Sequence, residues 1–79
     1  MKLFVTNHAA DRMRTFGLSL VDVKRHLRSA VDWEPSHHSK YDPTSVTVKD
    51  GPYLFVLNAH RTVLITVFDQ RINLKGDEL

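Results

Sequence analysis

The 79-residue sequence contains no cysteine, so neither a disulfide framework nor a thiolate nucleophile is available to it. Its five histidines do not combine with Asp or Glu at zinc-ligand spacing, and its three glycines form no Gly-rich phosphate-binding loop. Long apolar runs are missing as well. The N-terminal run is too short for a signal peptide, and no segment is long enough to span a bilayer. These absences favour a cytoplasmic protein that uses no metal and no other cofactor.

The composition is that of one small globular domain. Apolar residues make up 42% and charged residues 25% of the chain. A chain of this length buries only a small core, so we expect a free energy of unfolding of only a few kcal/mol. The sequence predicts a single domain over residues 1–79, with a core over about 3–69 and a polar C-terminal tail over 70–79.

The charge is distributed unevenly, although the net charge is only +2. Residues 1–28 hold six bases against two acids, a local balance of +4. Such a basic half could meet a polyanion such as RNA, whereas the alternative is an ordinary solvated surface. The candidate nucleic-acid contacts are Arg14, Lys24, Arg25, Arg28, Lys40 and Arg61.

The first helix has clear start and stop signals. Thr6 or Asn7 can cap its N-terminus, and Gly17 can end it in a left-handed conformation. The residues between these signals form two stripes at helical spacing. One is the apolar stripe of Ala9, Met13 and Phe16, and the other, about 100° away, contains His8, Arg12 and Thr15. An imidazole and a guanidinium one turn apart, beside the core, suit a phosphate-handling site.

A second helix follows at once, and the pattern then changes to strands. Ser19 and Asp22 resemble a capping box for a helix over about 20–31. Residues 32–43 predict a loop with a short edge strand around 37–41, and period-two runs after Thr44 predict an antiparallel meander. The predicted class is α+β, with two N-terminal helices packed on a three- to four-stranded antiparallel sheet. One face of the last strand, either Val63, Ile65 and Val67 or Leu64, Thr66 and Phe68, should pack against the helices, chiefly Met13, Phe16, Leu20, Val23 and Leu27.

These features resemble a known family. The pattern H-A-x-x-R-M-x-x-x-G-[IL]-S in the first helix, with a terminal T-V-aromatic strand, resembles the small bacterial and phage proteins of domain of unknown function 4258. That group looks like a branch of the RelE-like ribonuclease toxins in the barnase–EndoU–colicin–RelE superfamily. The resemblance covers about residues 4–69. It implies two helices on a curved antiparallel sheet and, in active members, metal-independent RNA cleavage.

Carried over by position, the resemblance assigns three catalytic residues, which are His8, Arg12 and Thr66. Histidine can move protons near neutral pH, and arginine can bind two phosphate oxygens. We expect the three side chains to face one cleft. The structural alternative is that His8 caps or packs, and that Arg12 pairs with Asp11 or with a C-terminal acid.

Two positions depart from the family pattern. Phe16 stands where an arginine usually precedes the helix-ending glycine. Phe68 stands where the aromatic is commonly tyrosine, so a hydroxyl is missing there. Both changes remove polar groups from the expected site, and they weaken the case for catalysis more than the case for the fold.

The remaining polar and aromatic residues have plainer interpretations. His26 is expected to make a local surface contact with Asp22, and the paired His37 and His38 to lie in a solvated loop. Trp33 is expected to close the small core rather than to stack on a base.

Three functions therefore stay open. The first is a RelE-like domain acting on RNA, either a toxin-type ribonuclease or a weakened relative of one. The second is a non-catalytic phage or bacterial accessory module that binds a host protein or nucleic acid. The third is a toxin–antitoxin component that functions only with its cognate antitoxin.

Overall fold

The computed structural model describes residues 2–36 and 43–71 and contains two helices and five strands within them. The helices are α1 (Asn7–Phe16) and α2 (Leu20–Ser29). The strands are β1 (Phe4–Val5), β2 (Glu34–Pro35), β3 (Val46–Asp50), β4 (Tyr53–Leu57) and β5 (Val63–Asp69). The predicted α+β class is confirmed. The edge strand predicted around 37–41 and most of the predicted tail lie outside the described residues.

The sheet differs from the prediction in strand number and direction. It is five-stranded, in the order β1-β5-β4-β3-β2, and it is mixed rather than antiparallel because β1 runs parallel to β5. The Phe4 amide donates to the Thr62 carbonyl at 2.8 Å, and the Thr6 amide donates to the Leu64 carbonyl at 3.1 Å. Two-residue strands such as β1 and β2 are too short to show a period in the sequence. In β2, Pro35 is tolerated because this strand lies at the sheet edge.

Helix α1 begins and ends where the sequence predicted. The Thr6 hydroxyl accepts a hydrogen bond from the Ala9 amide at 3.0 Å and donates one to the Ile65 carbonyl at 2.8 Å. The N-cap therefore also fixes the start of α1 to β5. Gly17 ends the helix with a φ of 72°, which glycine adopts without a Cβ clash.

Helix α2 has the predicted capping box but ends at Ser29, two residues early. The Asp22 amide donates to the Ser19 hydroxyl at 3.1 Å, and the Ser19 amide donates to the Asp22 carboxylate at 3.0 Å. Ala30 is already extended, because the chain must leave the helix to reach β2 at Glu34.

The core lies between the helices and one face of the sheet. Met13, Val23 and Leu27 are buried there, whereas Phe16 is only half-buried and Leu20 is 40% exposed. On the sheet, the core face consists of Val46, Val48, Asp50, Tyr53, Phe55, Leu57, Leu64, Val67 and Asp69.

A register shift makes the prediction for the last strand wrong. Val56 pairs with Thr66, but its neighbour Leu57 pairs with Leu64, so Ile65 is an extra residue in β5. Leu64 and Val67, which strict alternation would place on opposite faces, therefore both join the core. The helices therefore pack against Leu64 from one predicted face of β5 and against Val67 from the other.

The other side of the sheet is called the back face here and consists of Thr47, Lys49, Leu54, Val56, Thr66 and Phe68. This assignment follows from the cross-strand register and the alternation of side chains. Lys49 is exposed, and Thr47, Leu54 and Phe68 are half-buried. Val56 and Thr66 have no exposed surface.

Candidate functional site

Arg12 joins α1 to the back face of the sheet. Its guanidinium carbon lies 5.4 Å from the centroid of the Phe68 ring, which is a cation–π contact. Within the described residues β1 pairs only with Val63 and Leu64, so the outer edge of β5 near Phe68 has no neighbouring strand. Arg12 reaches Phe68 past this edge. The contact brings together the helix and the strand that carry the resemblance.

His8 is exposed on the first turn of α1, one turn before Arg12. A helix rises about 1.5 Å per residue, so four residues separate the two by about 6 Å along the axis. The hydrogen bond from Thr6 to Ile65 fixes this end of the helix beside β5.

Thr66 is fully buried, and its hydroxyl has no hydrogen-bond partner. The hydroxyl is thus closed to solvent, and the cleft that Thr66 was expected to share with His8 and Arg12 stays a prediction.

Phe16 packs at the edge of the core rather than toward the back face. It is half-buried, and its ring centroid lies 6.5 Å from that of Tyr53. The position where the resemblance implies an arginine is thus filled by an apolar side chain that packs the end of α1 against the sheet.

Among the residues that the structure describes, the other predicted bases lie on α1, on α2 and in the turn between β4 and β5. On α1, Arg14 pairs with Asp11 at 3.0 Å, and both side chains are more than 70% exposed. Lys24, Arg25 and Arg28 lie along α2, where Arg25 pairs with Asp22 at 3.3 Å. Hydrogen bonds from the Ser19 amide and hydroxyl, with the nearby Arg25, hold the pKa of Asp22 below its usual value.

Arg61 lies in the turn between β4 and β5 with a φ of 60°, an uncommon conformation for a residue with a Cβ. Its guanidinium carbon is 4.1 Å from the centroid of the Trp33 ring. Trp33 itself packs against the core, as the sequence predicted. Lys40, the last predicted contact, lies outside the described residues.

A second polar cluster, which the sequence did not predict, lies where β3 and β4 join. We call it the hairpin-end cluster, and its members are His26, Asp50, Tyr53, Asp69 and Arg71. Asp50, Tyr53 and Asp69 are direct cross-strand neighbours on the core face. His26 of α2 covers one end of this row, with its Nδ1 at 2.7 Å from the Asp50 carboxylate.

Arg71 covers the other end of the row. Its Nε and Nη2 donate to the two carboxylate oxygens of Asp69 at 3.1 and 2.8 Å, and Nη2 lies 3.4 Å from the Tyr53 hydroxyl. These bonds hold the pKa of Asp69 below its usual value and raise the pKa of Arg71.

The sequence contained a signal for half of this cluster. His26 precedes the buried Leu27 and follows the buried Val23 by three residues, so it lies at the margin of the buried stripe. This spacing predicts a contact with Asp22 and does not reveal the distant partner Asp50, so the predicted contact is corrected by the structure. For Asp50 the sequence indicates only a turn position, because it precedes Gly51.

Within residues 2–36 and 43–71, no three His, Asp or Glu side chains are placed to hold a metal ion. The same part of the chain contains no helix that is long and apolar enough to cross a membrane.

Comparison of the sequence with protein-family models gives no match, and comparison with curated proteins and with solved structures gives no significant similarity.

Proposed function

We propose that this protein is a RelE-like domain that acts on RNA, and that it binds single-stranded RNA beside Arg12 on the back face of the sheet. The observation that carries the proposal is the Arg12–Phe68 contact. A cation–π contact restricts where the guanidinium lies without using its N–H groups as hydrogen-bond donors to oxygen, so these groups can still bind phosphate oxygens.

The surroundings of Arg12 support a single strand rather than a duplex. Phe68, Leu54 and Lys49 are cross-strand neighbours on the back face, so an aromatic and an aliphatic side chain lie between two cations. Alternation of basic and aromatic groups is typical of single-strand binding, because bases stack on apolar surface while phosphates meet cations. Asp32 and Glu34 line a groove next to Lys49, which favours the Arg12 side for the phosphates.

The two-helix, mixed-sheet arrangement supports the RelE-like assignment only at the level of α+β class. On this proposal the protein is cytoplasmic. It is a toxin-type metal-independent ribonuclease or a weakened relative of one, with His8 near the bound phosphate. A cognate antitoxin or host protein remains a proposed partner.

A salt titration tests the RNA proposal. Binding of a fluorescein-labelled 12-nucleotide RNA, followed by fluorescence anisotropy, should weaken with salt with a log–log slope of about −2 to −3, as expected for roughly three to four phosphate contacts. Arg12→Ala should weaken binding and flatten the slope by about 0.7, the loss of one single-strand phosphate contact.

Arg14→Ala is the charge-matched control, because Arg14 is on the same helix but is exposed and paired with Asp11. It should change the affinity less than Arg12→Ala. Equal effects of the two variants would overturn the proposed site, and no binding at about 50 mM salt, where phosphate attraction is strong, would overturn RNA binding itself.

The second candidate function is a non-catalytic module that binds a protein. Two observations favour it: Val21 and Val31 are 64% and 80% exposed near the two ends of α2, and Phe16 occupies the position of the family's arginine. Exposed apolar side chains near the basic residues of α2 suit a protein partner better than a bare phosphate backbone. Failure of RNA binding in the titration would favour this function.

A further inference from the structure

The hairpin-end cluster places polar groups where the fold would normally place apolar ones. The neighbouring row of the same face is Val48, Phe55 and Val67, all fully or almost fully buried. The next row along the strands is Asp50, Tyr53 and Asp69. Polar and charged groups at core-facing positions cost stability unless they are paired, and clusters of such groups are concentrated at functional sites.

His26 in this cluster is held in the manner of a general base. Nδ1 lies 2.7 Å from the Asp50 carboxylate, and an ionised carboxylate can only accept, so this contact favours the tautomer of the neutral imidazole with the proton on Nδ1 and the lone pair on Nε2. The ring is also fixed by Tyr53, which it meets edge-on at 5.2 Å, and by Phe55 at 5.7 Å. The side chains of His26 and Asp50 are 26% and 28% exposed and Tyr53 is 9% exposed, so all three keep some contact with solvent.

Arg71 is held in the manner of an anion-binding group. Its bonds to Asp69 and Tyr53 use Nε and Nη2, and the guanidinium carbon lies 5.6 Å from the centroid of the Tyr53 ring. The Asp69 side chain is 4% exposed, whereas that of Arg71 is 65% exposed. A buried carboxylate thus positions a guanidinium that faces solvent, which suits contact with a phosphate group.

The geometry points to a general acid–base centre for cleavage of an RNA phosphodiester, with His26 as the base, Tyr53 as the acid and Arg71 as the phosphate contact. Asp50 and Asp69 are positioning residues. The inference rests on the proposed RNA function, and it assigns the proton transfers to this cluster instead of to His8. A strand bound beside Arg12 and Phe68 on the back face would reach the cluster around the end of β5, where Phe68 is followed directly by Asp69.

The reaction is an internal transfer of the phosphoryl group. Nε2 of His26 takes the proton of the ribose 2′-hydroxyl, and O2′ forms a bond to phosphorus while the bond from phosphorus to O5′ breaks. O5′ takes the proton of the Tyr53 hydroxyl, and the Arg71 guanidinium stabilises the phenolate and the phosphorane charge. The imidazolium then returns its proton to the phenolate through solvent. The products are a 2′,3′-cyclic phosphate and a 5′-hydroxyl, and no water is consumed.

The test compares RNA cleavage with RNA binding in the same variants. In buffer with EDTA, the unmodified protein should cut the 12-nucleotide RNA but not its 2′-deoxy counterpart, and mass spectrometry should find cyclic phosphate ends. His26→Ala should lower the cleavage rate by about 10²–10⁴-fold with the RNA affinity unchanged, and added imidazole should restore part of the rate. His60→Ala, at an exposed turn position, is the matched control and should cleave normally.

Two further variants separate chemistry from folding. Tyr53→Phe keeps the ring in the core and removes only the hydroxyl, so it should fold and lose most of the cleavage. Asp50→Asn should shift the pH profile of cleavage, because the imidazole loses its charged partner.

Three results would overturn the inference. Loss of cleavage in His8→Ala together with normal cleavage in His26→Ala would show that the proton transfers involve His8 on α1 and not His26. Unchanged cleavage in a folded Tyr53→Phe variant would show that the Tyr53 hydroxyl is not the general acid. RNA binding without any cleavage by the unmodified protein would refute this centre and leave the binding proposal standing, whereas absence of RNA binding would refute the proposed function.

Discussion

Asp69 and Arg71 form an ion pair in which the carboxylate is buried and the guanidinium is exposed. The Asp69 side chain is 4% exposed, that of Arg71 is 65% exposed, and Nη2 lies 2.8 Å from Oδ2. Asp69 Oδ1 also accepts from the backbone amide of Arg71 at 2.9 Å. At the end of β5 the backbone and the side chain of Arg71 thus both bond to Asp69, and we expect this pair to make the stability of the fold dependent on pH.

The first prediction concerns that dependence. Hydrogen bonds from Arg71 hold the pKa of Asp69 below the ordinary value of 3.8 in the folded state. The ionised form is therefore the stabilising one: its contribution is complete above 3.8 and is lost as the pH falls through the folded-state pKa. Urea-denaturation midpoints between pH 2 and pH 6 should show Asp69→Asn less stable at pH 6, with the difference narrowing in acid. The difference in midpoint between Arg71→Gln and the unmodified protein should narrow in acid in the same way. Midpoints that stay parallel across this pH range would show that the Asp69–Arg71 pair does not cause the pH dependence.

The second prediction concerns the pairing of His26 with Asp50. Their side chains are about three-quarters buried, so solvent screens the contact less than it screens a surface ion pair. A double-mutant cycle with His26→Ala and Asp50→Ala at pH 6 should give a coupling free energy of about 1–2 kcal/mol. The exposed Asp11–Arg14 pair, treated in the same way, should give about 0.3 kcal/mol. Equal coupling free energies for the two pairs would show that the His26–Asp50 contact does not stabilise the packing of α2 against the β3–β4 hairpin.

The third prediction concerns Thr6, which acts both as a helix cap and as a tertiary contact. Thr6→Ala removes the acceptor for the Ala9 amide and the donor to the Ile65 carbonyl, and we expect a loss of about 2 kcal/mol in the free energy of unfolding. Ser19→Ala removes an exposed cap and should cost about 1 kcal/mol. Thr6→Ser should keep most of the stability. An equal cost for Thr6→Ala and Ser19→Ala in urea denaturation would exclude a tertiary role for Thr6.

Local chemistry explains which parts of the fold the sequence predicted. Caps such as Thr6 and Gly17 and the capping box of Ser19 involve residues within four positions, so composition and spacing suffice to find them. Strand β1 is different, because only its pairing with β5, almost sixty residues away, makes it a strand. The extra residue Ile65 is likewise defined by its partner strand, so strict alternation assigned the faces of β5 wrongly.

In the candidate sites, too, the features set by nearby residues were predicted and those set by distant partners were not. The position of Arg12 beside the core was predicted from the helical stripe, but its partner Phe68 lies on β5 and had to come from the structure. His26 and Asp50 are 24 residues apart, and only the packing of α2 against β3 brings them together. Resemblance pointed to Thr66, which the structure places in the interior without a partner.

The last prediction concerns this Thr66 hydroxyl. It is fully buried and makes no hydrogen bond, so it has lost its hydration without compensation. Valine has nearly the same shape and no polar atom, and Thr66→Val should therefore raise the free energy of unfolding by about 1 kcal/mol. The matched control is Thr62→Val, because the exposed Thr62 hydroxyl accepts from the Asn58 side chain at 3.0 Å, and this change should be neutral or mildly destabilising. Urea denaturation of both variants decides the matter. A clear destabilisation by Thr66→Val would mean that the hydroxyl is bonded in solution, which would make it a stronger candidate for a functional group.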